Sequence, residues 1–376
     1  MRIFANPERK GIAVIFLGIL ILGAILSIMY GGLEKYLNVT WFSGPSISGK
    51  IVFISEKSGT PDVYMMPKDG GEAVEITNGV KSQGIPIIAP NARKIVFVGE
   101  IQGSNSIYGV RGDGKSLVQL TEASGPKSNP EYSTDGKTIA YIASGKVYVA
   151  DLNGANPKSV LPTREEETLA ITHGEGMPTY TQYALEKNGE GILAACETSP
   201  DVQVLTYLTK PDGESARIPL SADPNERAIV TSIKAIPGST SFVVSANVGS
   251  VFVLLFLDPK SGESHPIFRI KNMECGNIAL TPDGENIIAP LKKNSNKPSY
   301  QLVSIPISGG SARIITNQHI LNPCIDASGS KILATISDED EINRDIVEID
   351  MQTGDIKKLT NDGKSYNGVY TPELKE

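Results

Sequence analysis

The chain is poor in the residues that carry most metal and nucleophilic chemistry. It has 376 residues but only three cysteines, three histidines and one tryptophan. Cys196, Cys275 and Cys324 lie far apart and form no CxxC. That excludes a zinc knuckle and the disulfide framework of a small secreted domain. Three small buried thiols are expected instead, and the spacing gives no support to a Cys275–Cys324 link. His173, His265 and His319 fall in different segments without HxH or HExxH spacing, so they read as loop histidines rather than a metal set. There is no G-x-S-x-G, so a hydrolase nucleophile elbow is not expected. A basic stripe is also missing. The net charge is −7, and the first ten residues hold Arg2, Arg9 and Lys10 against Glu8, so the rest is more acidic still. Nucleic acid is therefore excluded as the main partner. No cofactor is expected.

The first long feature is an apolar run. Residues 11–30 (GIAVIFLGILILGAILSIMY) carry no charge, and twelve of them are Ile, Leu, Val or Phe. As a helix they span about 30 Å, the hydrocarbon thickness of a bilayer. Insertion at roughly −0.3 to −0.6 kcal/mol per large apolar residue is favourable by several kcal/mol. The run lacks a polar stripe, unlike a surface helix. Arg2, Arg9 and Lys10 precede it, while Glu34 and Lys35 cancel after it. The expectation is a single-pass anchor with a cytoplasmic N-terminus and the remaining residues outside. Ser27–Tyr30 makes a poor cleavage site and the run is long, so the anchor is expected to stay. This divides the chain into residues 1–10 (cytoplasmic), 11–30 (transmembrane helix), 31–48 (linker) and 49–376.

Residues 49–376 repeat. In the third copy, Asn129–Ser133, Lys137–Ala143, Lys146–Asp151 and Lys158–Leu161 read as four short strands, separated by Asp135-Gly136 and Asn153-Gly154 hairpin signals. The second strand recurs from Lys50, Lys94, Thr138, Gly191, Ser241, Asn286 and Lys331, at spacings of 44, 44, 53, 50, 45 and 45 residues. A hairpin glycine follows each third strand (Gly70, Gly114, Gly154, Gly213, Gly262, Gly309, Gly354), and four of the fourth strands end in Thr (Thr77, Thr121, Thr316, Thr360). Both strand faces are apolar, which fits sheets stacked on both sides. A four-stranded unit at this period is the signature of a propeller. The first copy lacks its innermost strand, and Asn367–Pro372 supplies an orphan one. The expected fold is all-β: a single β-propeller of about seven four-stranded blades, closed by the C-terminal strand and preceded by one transmembrane helix. Six blades would follow if the weaker fourth and fifth copies were misread.

The pattern in Asn129–Asp151, Lys50–Thr77 and Asn277–Ala289 resembles the TolB-like, WD-repeat-like propeller family. The resemblance covers residues 49–376 and implies the fold far more than any function. TolB carries an α/β domain before its propeller, for which residues 34–48 leave no room, so the family's envelope-scaffold role carries over only loosely. The same propeller precedes a hydrolase domain in prolyl-oligopeptidase-like enzymes. With Glu376 just beyond the closing strand, that domain is not expected here.

Two groups of residues stand out. Asn129, Asn277, Asn322 and Asn367 recur where the chain enters the innermost strands, so a ring of amides at a channel mouth is a candidate binding site for peptide or sugar. The plain alternative is that they bond backbone in tight crossings. The acidic run Asp338-Glu339-Asp340-Glu341, continuing to Asn343 and Asp345, places oxygen ligands at alternate positions as Ca²⁺ would need, with Asp338, Asp340 and Asp345 the candidates. The EF-hand glycine is missing, and a solvated charge run is the alternative. Glu165-Glu166-Glu167 reads as a loop, and the insertion Arg164–Tyr180, which breaks the period most, is the preferred contact region. The functional expectation is a membrane-anchored, extracytoplasmic, non-catalytic scaffold for a protein, peptide or envelope polymer. The alternative is a polysaccharide lyase or hydrolase with its site in the channel.

Overall fold

A computed structural model describes residues 44–374, apart from 122–124, 175, 187–190, 212, 222, 224–225, 294 and 296–298. The apolar run 11–30 lies outside the described residues. Among those described, no helix is long and apolar enough to cross a membrane.

Among the described residues, twenty-nine strands and one helix follow in order. The first three strands are β1 (Lys50–Ser55), β2 (Asp62–Pro67) and β3 (Val74–Glu75). The second blade holds β4 (Lys81–Ile88), β5 (Lys94–Ile101), β6 (Ser104–Arg111) and β7 (Val118–Gln119). The third holds β8 (Lys127–Tyr132), β9 (Thr138–Ala143), β10 (Lys146–Asp151) and β11 (Lys158–Leu161). Helix α1 (Arg164–His173) precedes the fourth blade, β12 (Thr179–Leu185), β13 (Ile192–Ser199), β14 (Val202–Leu208) and β15 (Ser215–Ile218). The fifth is β16 (Ala228–Ala235), β17 (Phe242–Val248), β18 (Val251–Asp258) and β19 (Glu263–Lys271). The sixth begins with a split strand, β20 (Met273–Cys275) and β21 (Ala279–Leu280), then β22 (Asn286–Lys293), β23 (Tyr300–Pro306) and β24 (Arg313–Thr316). The seventh is β25 (Ile320–Ile325), β26 (Lys331–Ser337), β27 (Arg344–Asp350) and β28 (Ile356–Lys358), and β29 (Ser365–Tyr370) is the last described strand. Blades four and five are both complete, and the strand pairing between them is a single parallel bridge of Val202 with Ala228. The count is seven.

The apolar clusters lie between sheets rather than within one. Ile142 and Val147 of blade three meet Tyr183 and Leu185 of blade four. Val243 and Leu254 of blade five meet Ile287 and Val303 of blade six. A blade that is apolar on both faces cannot be stable alone, and stacking satisfies both faces. The last interface closes the circle, because Leu333 and Ile346 of blade seven pack with Ile51, Phe53, Tyr64 and Met66 of blade one.

The sheet order β29-β1-β2-β3 makes the C-terminal strand the innermost one of blade one. Val52 faces Val369 and Ser55 faces Ser365. Thr371 receives the Lys50 amide on its hydroxyl at 3.0 Å and returns its own amide to the Lys50 carbonyl at 3.1 Å. Beside this seam Arg344 of blade seven donates to Glu56 at 2.9 Å and lies 3.7 Å over the Tyr366 ring.

The recurring residues have physical roles in this arrangement. The Thr77, Thr121 and Thr360 hydroxyls accept the amides of Val63, Ile107 and Ile346, tying the outermost strand to the third. Gly154 holds φ +79°, and a Cβ there would lie 2.0 Å from the Leu120 carbonyl oxygen of the preceding blade. At Gly354 (φ +75°) the distance to the Ile315 oxygen would be 2.2 Å. At Gly154 and Gly354 the hairpin glycine thus supplies a positive φ and also lets neighbouring blades approach backbone to backbone, whereas at Gly262 the space beside it is open.

Candidate functional site

The four repeated asparagines sit inside or beside the innermost strands, not at their entrances. Asn129, Asn322 and Asn367 each occupy the third position of their strand, where the register slips by a bulge. All three have positive φ, near +50° to +57°, a conformation that asparagine tolerates better than most residues. Asn277 falls in the break between β20 and β21. Three of the amides form a relay around the channel. Asn277 Nδ2 donates to Asn322 Oδ1 at 2.8 Å, Asn322 Nδ2 donates to Asn367 Oδ1 at 2.6 Å, and Asn367 Nδ2 donates to the Gly84 carbonyl at 2.8 Å. The relay spans blades six, seven, one and two. Asn129 stands apart and donates to the Thr181 carbonyl of blade four at 3.3 Å, while the Tyr183 hydroxyl donates to the Asn129 carbonyl at 2.6 Å. These amides stitch adjacent blades, and their donors are turned to each other, to backbone or, for Asn129, also to the Gln182 side chain at 3.4 Å.

A cavity of about 630 Å³ opens among the innermost strands of blades two to five and reaches Asn277. Its wall includes Lys127, Asn129, Glu131, Tyr132, Gln182 and Lys234. The Tyr132 hydroxyl is buried without a hydrogen-bond partner, and burial raises its pKa well above the ordinary phenol value. Glu131 accepts the Leu185 amide at 3.3 Å. Charged, amide and phenolic groups therefore converge in the channel.

The acidic segment is a structured turn. Asp338 accepts the Ile342 amide at 2.8 Å and the Asn343 side-chain amide at 2.7 Å. Asn343 holds its carboxyl below the usual range. Asp345 lies in β27, where it receives Lys358 Nζ, the Thr360 hydroxyl and the amides of Asp362 and Gly363, all at 3.0–3.2 Å. Burial would raise its pKa, but these donors outweigh burial and lower it. Asp340 is exposed on the turn between them. Among the described residues no three His, Cys, Asp or Glu side chains come together as a metal site. His319 stacks on Tyr300 at 3.8 Å with its Nδ1 2.9 Å from the Asp338 carbonyl, and His265 stacks on Phe256 at 4.9 Å. The three cysteines are free thiols, and burial pushes Cys196 up to about 11.

The insertion before blade four is a helix where a loop was expected. Thr163 and Glu166 form a reciprocal capping box, and Gly174 closes the helix at φ +66°. The T-x-x-E pattern at Thr163–Glu166 followed by Gly174 was the readable signal. The side chain of Glu166 is buried and accepts the Tyr180 hydroxyl at 3.0 and 3.2 Å. Lys146 binds Glu167 at 2.7 Å. Although the helix is fixed in this way, it leaves Leu169, Ile171 and the nearby Met177 exposed at 48%, 73% and 46%. Beside it lies a groove of about 570 Å³.

No protein-family model and no curated sequence matches the chain, but solved structures do. The chain is similar to a prolyl endopeptidase with a TM-score of 0.60 at 13% identity, over 84% of this chain and 49% of that one. It is similar to an oligogalacturonate lyase in complex with manganese with a TM-score of 0.58 at 13% identity, over 84% and 86%. It is also similar to TolB from Acinetobacter baumannii with a TM-score of 0.50 at 13% identity, over 86% and 83%. The chain spans about half the length of the prolyl endopeptidase. At these identities the likeness shows the fold alone. That fold is a β-propeller, which the enzymes and TolB share.

Proposed function

We propose that this protein is a membrane-anchored, extracytoplasmic β-propeller that binds a protein, peptide or envelope polymer and catalyses no reaction on it. The carrying observation is α1. It is a helix inserted into an all-strand repeat, the one helix among the described residues, it is capped at both ends, and Tyr180 and Lys146 hold it to the ring. A helix that merely filled a gap would turn its large apolar residues inward, yet Leu169 and Ile171 face solvent, as does Met177 just beyond it. Rigid scaffolds that present such residues on a connecting segment suit recognition. The anchor rests on residues 11–30 and on the basic residues before them. Placing the propeller outside the cytoplasm follows from the same charge asymmetry.

The test is a photo-crosslinking amino acid introduced at Leu169 in the full-length chain, in its native membrane. The expected result is a discrete covalent adduct that is absent when the same group replaces Val74, which is 56% exposed on blade one. Equal labelling from both positions would refute α1 as the contact. The second reading, a channel-sited lyase or hydrolase, is favoured by the 630 Å³ cavity with Glu131, Lys234 and the unpaired Tyr132 hydroxyl. Release of unsaturated or reducing ends from acidic oligosaccharides, abolished by Tyr132→Phe, would move the assignment to it.

A further inference from the structure

We infer that the groove between α1 and blade four takes a polypeptide segment in which a basic side chain stands next to an apolar one. This rests on α1 as the docking element and goes on to name the chemistry of its partner. One wall is a single helical row, since Glu165, Leu169 and His173 recur at every fourth residue and so stand one above the other. The other wall is sheet, with Glu197 near the end of β13 and Arg217 on β15. Met177 also lines it.

Charge decides what fits. Three carboxylates line the groove, Glu165, Glu166 and Glu197, against the one guanidinium of Arg217. Glu166 is occupied, because it caps its own helix, accepts the Tyr180 hydroxyl and lies 4.0 Å from Arg217. Glu165 and Glu197 have no ion-pair or hydrogen-bond partner for their side chains among the described residues. Leu169, one turn from Glu165 on the same wall, stays 48% exposed, and Met177 in the lining stays 46% exposed. A lysine or arginine brings an aliphatic stem and a cationic head, which matches apolar surface rimmed by carboxylate. A neighbouring apolar residue would cover Leu169. A volume of about 570 Å³ suits a few side chains rather than a folded domain. Apart from His173 the described lining holds no aromatic ring, and it holds no side-chain amide, so a sugar polymer has little to stack on or bond. An anionic bilayer or an acidic partner would meet unpaired carboxylates and be repelled.

The experiment selects from a random dodecapeptide display library against the full-length chain held in detergent. Peptides carrying Lys or Arg beside Leu, Ile, Met or Phe are expected to be enriched. A synthetic peptide of that kind should bind about tenfold more weakly to Glu165→Lys/Glu197→Lys, and its Glu-substituted counterpart should bind that variant better than the parent chain. Leu169→Ser should cost about tenfold for the parent peptide. Enrichment of acidic or purely polar peptides, no enrichment, or affinity unmoved by the charge reversal would each overturn the inference. So would adsorption to phosphatidylcholine–phosphatidylglycerol vesicles that depends on Leu169. If the Leu169 crosslink forms but survives the charge reversal, the groove chemistry is wrong and the binding reading stands. If no crosslink forms, both fall.

Discussion

Replacing Gly154 by alanine is the sharpest test of how the blades are seated. Two costs combine there. An L-residue at φ +79° pays about 1–2 kcal/mol for the left-handed conformation. The added Cβ would also stand 2.0 Å from the Leu120 oxygen and 2.7 Å from its carbonyl carbon. Both are backbone atoms and cannot swing aside, so the third blade's hairpin must retreat from the second blade. Overpacking of that kind costs roughly 1–3 kcal/mol. Gly262 provides the control, with φ +77° and nothing within 4 Å of the place a Cβ would take. Gly262→Ala should pay only the conformational cost. Urea unfolding of the full chain in detergent, followed by far-ultraviolet circular dichroism, should place Gly154→Ala about 1–3 kcal/mol below Gly262→Ala. Gly354→Ala, whose Cβ would lie 2.2 Å from the Ile315 oxygen, should group with Gly154→Ala. Equal losses at all three positions would refute the claim that this glycine exists for inter-blade contact.

Two further outcomes follow from the same geometry. Asn322→Gly keeps the φ of +50° but removes two amide hydrogen bonds, costing about 1–2 kcal/mol, and Asn322→Ala should be worse by about 1 kcal/mol because it also strains the backbone; denaturant midpoints read the order, and alanine proving better would contradict the bulge role. Below neutral pH the turns between first and second strands should weaken. The Ser133 hydroxyl and the Lys137 amide hold Asp135 down to about 2, and the Thr281 hydroxyl and the Glu285 amide lower Asp283. Carboxylates depressed on folding stabilise above their unfolded pKa of about 4 and lose that contribution as pH falls toward 2. Thermal unfolding should therefore fall between those values in the parent chain and fall less in Asp135→Asn/Asp283→Asn.

Much of the fold was legible because it is repetitive. The second strands starting at Lys50, Lys94, Thr138, Asn286 and Lys331 are fixed by turn residues before them and an apolar run within them, both local signals. The closure by residues 367–371 was readable from a missing strand at one end and a spare one at the other. The helix was missed because Glu165-Glu166-Glu167 looks like a solvated run, and its weak amphipathicity hides that Glu166 is buried by Tyr180, fourteen residues on. The asparagines were recognised as a set, but their partners lie 45 residues away in the next blade, and no local pattern reveals that three of them bond each other around the channel. The groove walls come from α1, β13 and β15, which the sheet pairing of blade four and the Tyr180–Glu166 contact bring together.

Ring closure is tested most directly by a double cysteine substitution at Ser55 and Ser365. The two hydroxyl oxygens are 3.0 Å apart although 310 residues separate them in the chain. Ser55→Cys/Ser365→Cys, oxidised in the folded full-length protein, should form an intramolecular disulfide that gives a faster-migrating band on a non-reducing gel and disappears with reductant. Either single variant should not. Free thiols at both positions after oxidation, or disulfides only between two chains, would contradict a propeller whose last strand completes its first blade.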